Sequence, residues 1–219
     1  MRIKTIGYIF LGILLLAMLS CSNEKVENYP DGNLKSVQQF SGKKLHGTSI
    51  WYYENGKKQL EASYKDGLLD GKSTRWNSGG KKESVENYTQ DRKNGPAIYW
   101  NADEIKVEER TYKNDSLNGP YRLYHENGIL KIEGSYRMGM FDSTWVYYNE
   151  FGFKIGDAVF RNGSGTQRAF HLNGKIWREV PYADNKRNGT EREYNQSGKL
   201  IKETTYKNDV VSAIKNHAE

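Results

Sequence analysis

The stretch GTSIWYYENGKKQLEASYKDG, residues 47–67, carries the pattern that decides the fold. Its turn-like Asn55-Gly56-Lys57 returns along the chain. Gly32, Gly56, Gly80, Gly128, Gly152, Gly174 and Gly198 follow one another at steps of 24, 24, 48, 24, 22 and 24, and Glu104 stands in the place left open. Two aromatic columns keep the same register: Phe40, Tyr64, Tyr88, Tyr112, Tyr136, Phe160, Tyr182 and Tyr206, and then Tyr52, Trp76, Trp100, Tyr124, Tyr148, Phe170 and Tyr194. A further column is Gly47, Gly71, Gly95, Gly119, Gly165 and Gly189. Columns in shared register over this length are an internal repeat, not an accident of composition. A partial first repeat and seven full ones cover residues 29–213.

Each repeat has a physical reading. Glu54-Asn55-Gly56-Lys57, echoed at Glu126-Asn127-Gly128 and Asn173-Gly174-Lys175, matches the two-residue hairpin turn with positive φ at both central positions. The flanking segments, such as Ser49 to Tyr53 and Gln59 to Tyr64, are strand-length and rich in Tyr. A second turn follows each aromatic of the first column. Its third position holds Gly67, Asp91, Asp115, Gly139, Gly163, Asn185 or Asp209, the residue types that tolerate left-handed backbone. Repeat five is two residues short, and the loss falls between Arg161 and Gly165. The expected fold is all-β: one elongated, twisted antiparallel sheet of stacked β-hairpins, about 24 residues to the repeat.

Composition agrees. Beyond residue 21, the 198 residues hold 28 Leu, Ile and Val and 6 Phe. That is about 17%, under the ~20% at which chains begin to look disordered. Frequent Tyr and Trp argue against disorder, so a thin, repetitive sheet remains, because these residues cannot fill a thick core. A single cysteine excludes an intrachain disulfide.

The aromatic, Asn-Gly-Lys, aromatic and Gly columns resemble the MORN repeat, in the bacterial variant found in proteins labelled YwqK-family antitoxins. The resemblance covers most of the chain. It implies successive antiparallel hairpins with aromatics packed along one side, and sixteen strands at ~4.8 Å give a rod of about 75 Å. It departs at Ala102-Asp103-Glu104, where a longer or less regular hairpin is expected.

The N-terminus reads as an address. Arg2 and Lys4 precede an apolar run from Ile6 to Leu19 that is too short to span a bilayer as a helix. The run stops at Ser20-Cys21, which resembles a bacterial lipoprotein signal. The expectation is a signal peptide at 1–20, lipidation at Cys21, a tether over 21–28 and a C-terminal tail at 214–219. Without Arg2 and Lys4 the charge is 31 against 27, or +4, which favours anionic lipid and glycan surroundings over nucleic acid.

Possible chemical sites give way to plainer readings. Gly67 and Gly71-Lys72-Ser73 lack the spacing and the helix of a phosphate loop. His125 and His171 lie two repeats apart, ~19 Å by strand spacing, so they cannot share a metal and read as solvated surface histidines. Asp91-Arg92-Lys93-Asn94-Gly95 and Asp115 to Gly119 lack the acidic alternation of calcium loops. Glu61, Glu109, Glu133, Asp157, Glu179 and Glu203 share one repeat position. They form either an acidic stripe or, in the stronger reading, cross-strand partners for Lys and Arg. Carboxylates one repeat apart are too distant for a catalytic pair. No enzyme, cofactor, metal or small-molecule substrate is expected.

The local anomaly lies in repeats four and five. Ile129-Leu130 and Phe151-Gly152-Phe153 replace polar turn residues, with Met138, Met140, Phe141, Trp145 and Tyr147 nearby. Trp145, Tyr147, Phe151 and Phe153 are the candidate partner-binding residues; the competing reading is a better-packed middle of the rod. The whole reads as an exported protein-interaction or scaffolding module, lipid-anchored to a bacterial envelope (at the outer membrane in a Gram-negative cell), whose partner is a protein or a second copy. The family label implies an antitoxin or immunity protein as the alternative, and Lys, Arg and aromatics allow headgroup binding as a third.

Overall fold

A computed structural model describes residues 22–218; the stretch read as a signal peptide and Cys21 lie outside the described residues. All 21 strands belong to one antiparallel sheet, each paired with its neighbours in the chain. Four of them, Lys44–Leu45, Arg92–Lys93, Ser116–Leu117 and Lys186–Arg187, are two-residue fragments that lead through a bulge into Gly47–Tyr52, Gly95–Trp100, Gly119–Tyr124 and Gly189–Tyr194. With each fragment counted as part of the strand it leads into, 17 strands cross the sheet. Stability of such an array comes from neighbour contacts, not from one central core.

The first strand is Ser22–Asn28, paired with Leu34–Ser41 from Ser22↔Ser41 to Asn28↔Leu34. The segment read as a tether is therefore sheet from residue 22 onward. Val26 stands one repeat before Ile50 and occupies the same row. At the other end Val210–Asn216 is a strand on Leu200–Lys207, so the array runs past 213.

The Asn-Gly turns are not the two-residue type expected of them. At the Asn-Gly turns only the glycine is left-handed, as in Gly56 at φ +76 and Gly128 at φ +82. Gly56 N donates to Tyr53 O and Tyr53 N to Lys57 O, while Asn55 Oδ1 accepts Lys57 N. That is a longer loop closed by a glycine bulge, and the register shifts beside it between Trp51 and Tyr52. The two-residue turns with both centres left-handed are the other set, for example Asp66-Gly67 at φ 53 and 91, and Asn114-Asp115 at φ 49 and 67. Glu104 does not break the pattern. It sits at φ +63, and Glu104 N donates to Asn101 O as the glycines do in equivalent turns.

One side of the sheet carries the packing. Ala62, Ala97 and Ala158 are buried among larger neighbours. In repeats four to six the aromatics close into a cluster on Trp145, with ring centroids 5.0 Å away at Phe141, 5.1 Å at Tyr136 and 5.7 Å at Tyr121. Trp145 lies flat on Gly134, where an added Cβ would come within 2.2 Å of the indole.

The opposite side holds the acidic column in a straight cross-strand row: Glu109, Arg122, Glu133, Val146, Asp157, Arg168, Glu179, Arg192, Glu203, Lys215. Acids alternate with bases almost throughout. Arg122 reaches Glu109 at 3.3 Å and Arg192 reaches Glu203 at 3.5 Å, and Lys58–Glu61 at 2.5 Å and Lys154–Asp157 at 2.8 Å add pairs within strands. The column is thus a charge ladder contributing a few tenths of a kcal/mol per pair, about what exposed cross-strand pairs supply, not an acidic stripe. The Asx residues of the second turns are also committed: Asp91 Oδ1 accepts Leu69 N at 2.7 Å and Asp115 Oδ1 accepts Lys93 N at 2.8 Å, each bonding a turn to the repeat before it.

Candidate functional site

The four residues singled out from the sequence divide into two pairs. Trp145 is 3% exposed and donates Nε1–H to Asp142 O at 3.1 Å, and Tyr147 packs against the same cluster. Burial lifts the Tyr147 phenol well above its ordinary value. Both rings are engaged in the packing of the sheet, Trp145 buried and Tyr147 part-buried. Phe151 and Phe153 are 70% and 69% exposed at the tip of a turn in which Phe151 replaces the Asn before the turn glycine.

The local chain explains why that tip can carry two Phe. Asn149 Oδ1 accepts both Phe151 N and Phe153 N at 3.0 Å, so the turn is capped from its first residue and needs nothing from the side chains at 151 and 153. In repeats where the first residue is Tyr or His, the load is shared differently. There Asn55 or Asn173 caps the turn, and its Nδ2 donates to the next repeat at Ser78 O or Gln196 O. Lys57 and Lys175 likewise reach Gly79 O and Ser197 O at 2.7 and 2.8 Å. His125 and His171 belong to this stitching. Their Nε2 atoms lie 3.0 and 2.9 Å from Tyr148 O and Tyr194 O, where Tyr29 and Tyr53 use a hydroxyl for the same bond. A carbonyl only accepts, so each ring donates from Nε2. The histidines are structural ties between repeats, not solvated surface groups.

Along this edge one column reads Lys57, Lys81, Ile105, Ile129, Phe153, Lys175, Lys199. Ile105 and Ile129 lie over the turn glycine of the following repeat: a Cβ on Gly128 would meet Ile105 Cγ2 at 3.3 Å, and one on Gly152 would meet Ile129 Cγ2 at 3.7 Å. Phe153 does not complete the series, since nothing approaches the equivalent point of Gly174 within 4 Å. Instead a cleft of about 500 Å³ opens between the two turns, lined by Phe153, Ile155, Phe170, His171 and Leu172. Leu172 is fully exposed and Ile155 is 40% exposed. Lys154 sits beneath, paired with Asp157 and over the Phe170 ring at 5.8 Å.

Leu172 and Ile155 were not singled out from the sequence. The signal for Leu172 was present: equivalent turns hold Glu54, Ser78, Ala102, Glu126, Glu150 and Gln196 there. The assembled feature is an apolar cluster of Phe153, Ile155 and Leu172, with Phe151 on the same turn, on an edge whose other apolar residues, Ile105 and Ile129, are laid over turn glycines. It presents no nucleophile and no acid–base pair. Its chemistry is association, at roughly 1.5–3 kcal/mol for each large side chain taken out of water.

Comparison with known proteins bears on the repeat itself. No curated protein matches the chain. Residues 45–66, 117–138, 164–184 and 187–208 each match the MORN repeat variant, and each matched segment spans one outgoing strand, one glycine turn and the return strand.

Proposed function

We propose that this MORN-type repeat protein is an exported, lipid-anchored binding scaffold that takes a protein partner on the apolar strip of repeats five and six. The observation that carries the reading is the exposure of Phe151, Phe153 and Leu172 at 70%, 69% and 105% on two successive turns of an edge where the other apolar residues, Ile105 and Ile129, lie over turn glycines. A soluble hairpin tip gains nothing from such side chains unless something covers them. The anchor rests on the sequence alone, through Cys21 at the end of the apolar run.

Site-specific photo-crosslinking in the native cell tests the strip. A crosslinker at position 153 should give a discrete protein adduct, and one at position 57, the same place in a Lys-tipped repeat, should give none. Equal labelling at both positions, or none at 153, rejects the reading. Labelling with a radioactive fatty acid tests the anchor, and it should vanish in Cys21→Ala.

A further inference from the structure

The two residues missing from repeat five uncover a second feature on the opposite edge. In other repeats the bulge glycine lies directly on a return-strand side chain. A Cβ at Gly95 would meet Asn87 Cβ at 3.3 Å, one at Gly119 would meet Thr111 Cβ at 3.2 Å, and one at Gly189 would meet Pro181 Cγ at 3.1 Å. Repeat five keeps its two-residue turn, with Asn162 and Gly163 at φ 48 and 76, but has no bulge: Phe160↔Gly165 and Gly156↔Ala169 run in unbroken register. Gly165 is not left-handed, and its open side faces Val159 O, not the Val159 side chain. The deletion has removed the cover, not the turn.

Val159 is therefore 60% exposed, while Gln39, Ser63, Asn87, Thr111, Ser135, Pro181 and Thr205, its counterparts, are all part-buried. Apart from Pro181 it is the one apolar residue of that column. Around it a notch of about 470 Å³ is lined by Arg137, Asp142, Ser143, Arg161 and Asn162, within the size range of small-ligand sites. Asp142 is buried and already satisfied, accepting Arg137 Nη2 and Ser143 Oγ at 3.1 Å each. Ser143 holds φ +64 where the repeat has glycine, and its hydroxyl is spent on Asp142. Arg161 is exposed there with no partner among the described residues. The notch thus combines an uncovered aliphatic floor with a free guanidinium fork and a net positive lining, the complement of a carboxylate on a small apolar body.

We infer that this notch binds a carboxylate borne on an aliphatic group, either a free branched-chain acid or the C-terminus of a peptide. The full chain, labelled at valine methyls and held in detergent, is titrated by NMR with isovalerate, isovaleramide, inorganic phosphate, and acetyl-Gly-Val as free acid or amide. The Val159 methyls should shift with the acids, and the amides should bind at least tenfold more weakly. A peptide acid binding at least tenfold tighter than isovalerate identifies a C-terminus as the source; otherwise the source is the free acid. Arg161→Gln should weaken the acid at least tenfold. Inserting Leu-Asn between Ser164 and Gly165, which rebuilds the bulge, should abolish the shift while the melting temperature holds or rises. The inference is overturned by phosphate matching the acids, by amides matching the acids, by no Val159 shift at tens of millimolar, or by unchanged affinity in Arg161→Gln. A folded insertion variant that still binds overturns it as well.

Discussion

Glu104→Gly gives a test of turn geometry in which the expected sign is unusual, because most substitutions destabilise. Glu104 is held at φ +63, with its N–H on Asn101 O and with Asn101 Oδ1 accepting both Asp103 N and Ile105 N. The bonds of the turn are made by the backbone, by Asn101 and by Lys81 Nζ on Ala102 O, and the exposed Glu104 side chain makes none among the described residues. A non-glycine residue in left-handed backbone costs ~1–2 kcal/mol. Glycine recovers that and loses ~0.5–1 kcal/mol to the wider freedom of the unfolded chain. The net expectation is a gain of about 0.5–1 kcal/mol, or ~1–4 °C in melting temperature for a chain of this size. Urea melts followed by tryptophan fluorescence, with Glu104→Ala as the control for loss of the charge, separate the backbone effect from the side chain. A glycine variant no more stable than the alanine variant would refute the geometry assigned to this turn.

Other expectations follow from packing and charge. Gly134→Ala should cost about 3 kcal/mol or more, since the added methyl would overlap the Trp145 ring at a distance no rotamer change relieves; a melt within 2 °C of the parent (about 1 kcal/mol or less) would show that the aromatic cluster is loose. Arg122→Glu places like charges between Glu109 and Glu133 and should destabilise by about 1 kcal/mol, less at high salt; salt-independent loss would argue against the charge ladder. Glu86 is buried, and burial alone would raise its carboxyl, but donors from Lys93, Tyr99 and Tyr88 at 2.5, 2.6 and 3.0 Å outweigh that and hold it below 4.5. A depressed folded pKa means stability that is fully present above the unfolded value and lost as pH falls through the folded one. Glu86→Gln should therefore be less stable at neutral pH, by about 2–3 kcal/mol, and lose less than the parent on acidification below about pH 4.5; parallel acid limbs in the two proteins would contradict this. Burial, and after it the same carboxylate, pushes the Tyr88 phenol up to about 12.

The repeat columns carried the strand positions because a hairpin array has one side-chain pattern per 24 residues, and period-two alternation then assigns each residue a side. What composition could not convey was the count of residues inside each turn. Asn55-Gly56 looks like a two-residue turn by its dipeptide, yet the shift between Trp51 and Tyr52 lengthens the loop, and register is a property of the pair of strands. The deletion in repeat five was visible as a number, but whether turn or bulge had gone depended on the pairing of Phe160 with Gly165. Trp145 and Tyr147 were placed with Phe151 and Phe153 by nearness in the chain. They stand on the side that packs against Tyr121 and Tyr136, whereas the two Phe stand at the tip. The strand at Ser22–Asn28 was missed because its polar residues resemble a linker, although Val26 stands 24 residues before Ile50.

The most direct test of the binding edge is the double variant Phe151→Asn with Phe153→Lys, which gives this turn the residues that repeat six holds at Asn173 and Lys175. Melting temperature and crosslinking to the partner from position 172 are measured together on the parent and the variant. The account predicts a melting temperature equal to or above the parent's, with the crosslinked adduct reduced at least tenfold, because both rings are exposed and the turn is held by Asn149. A variant that melts early and still gives the adduct at parental yield would show that the rings serve packing, and the edge would not be the interface.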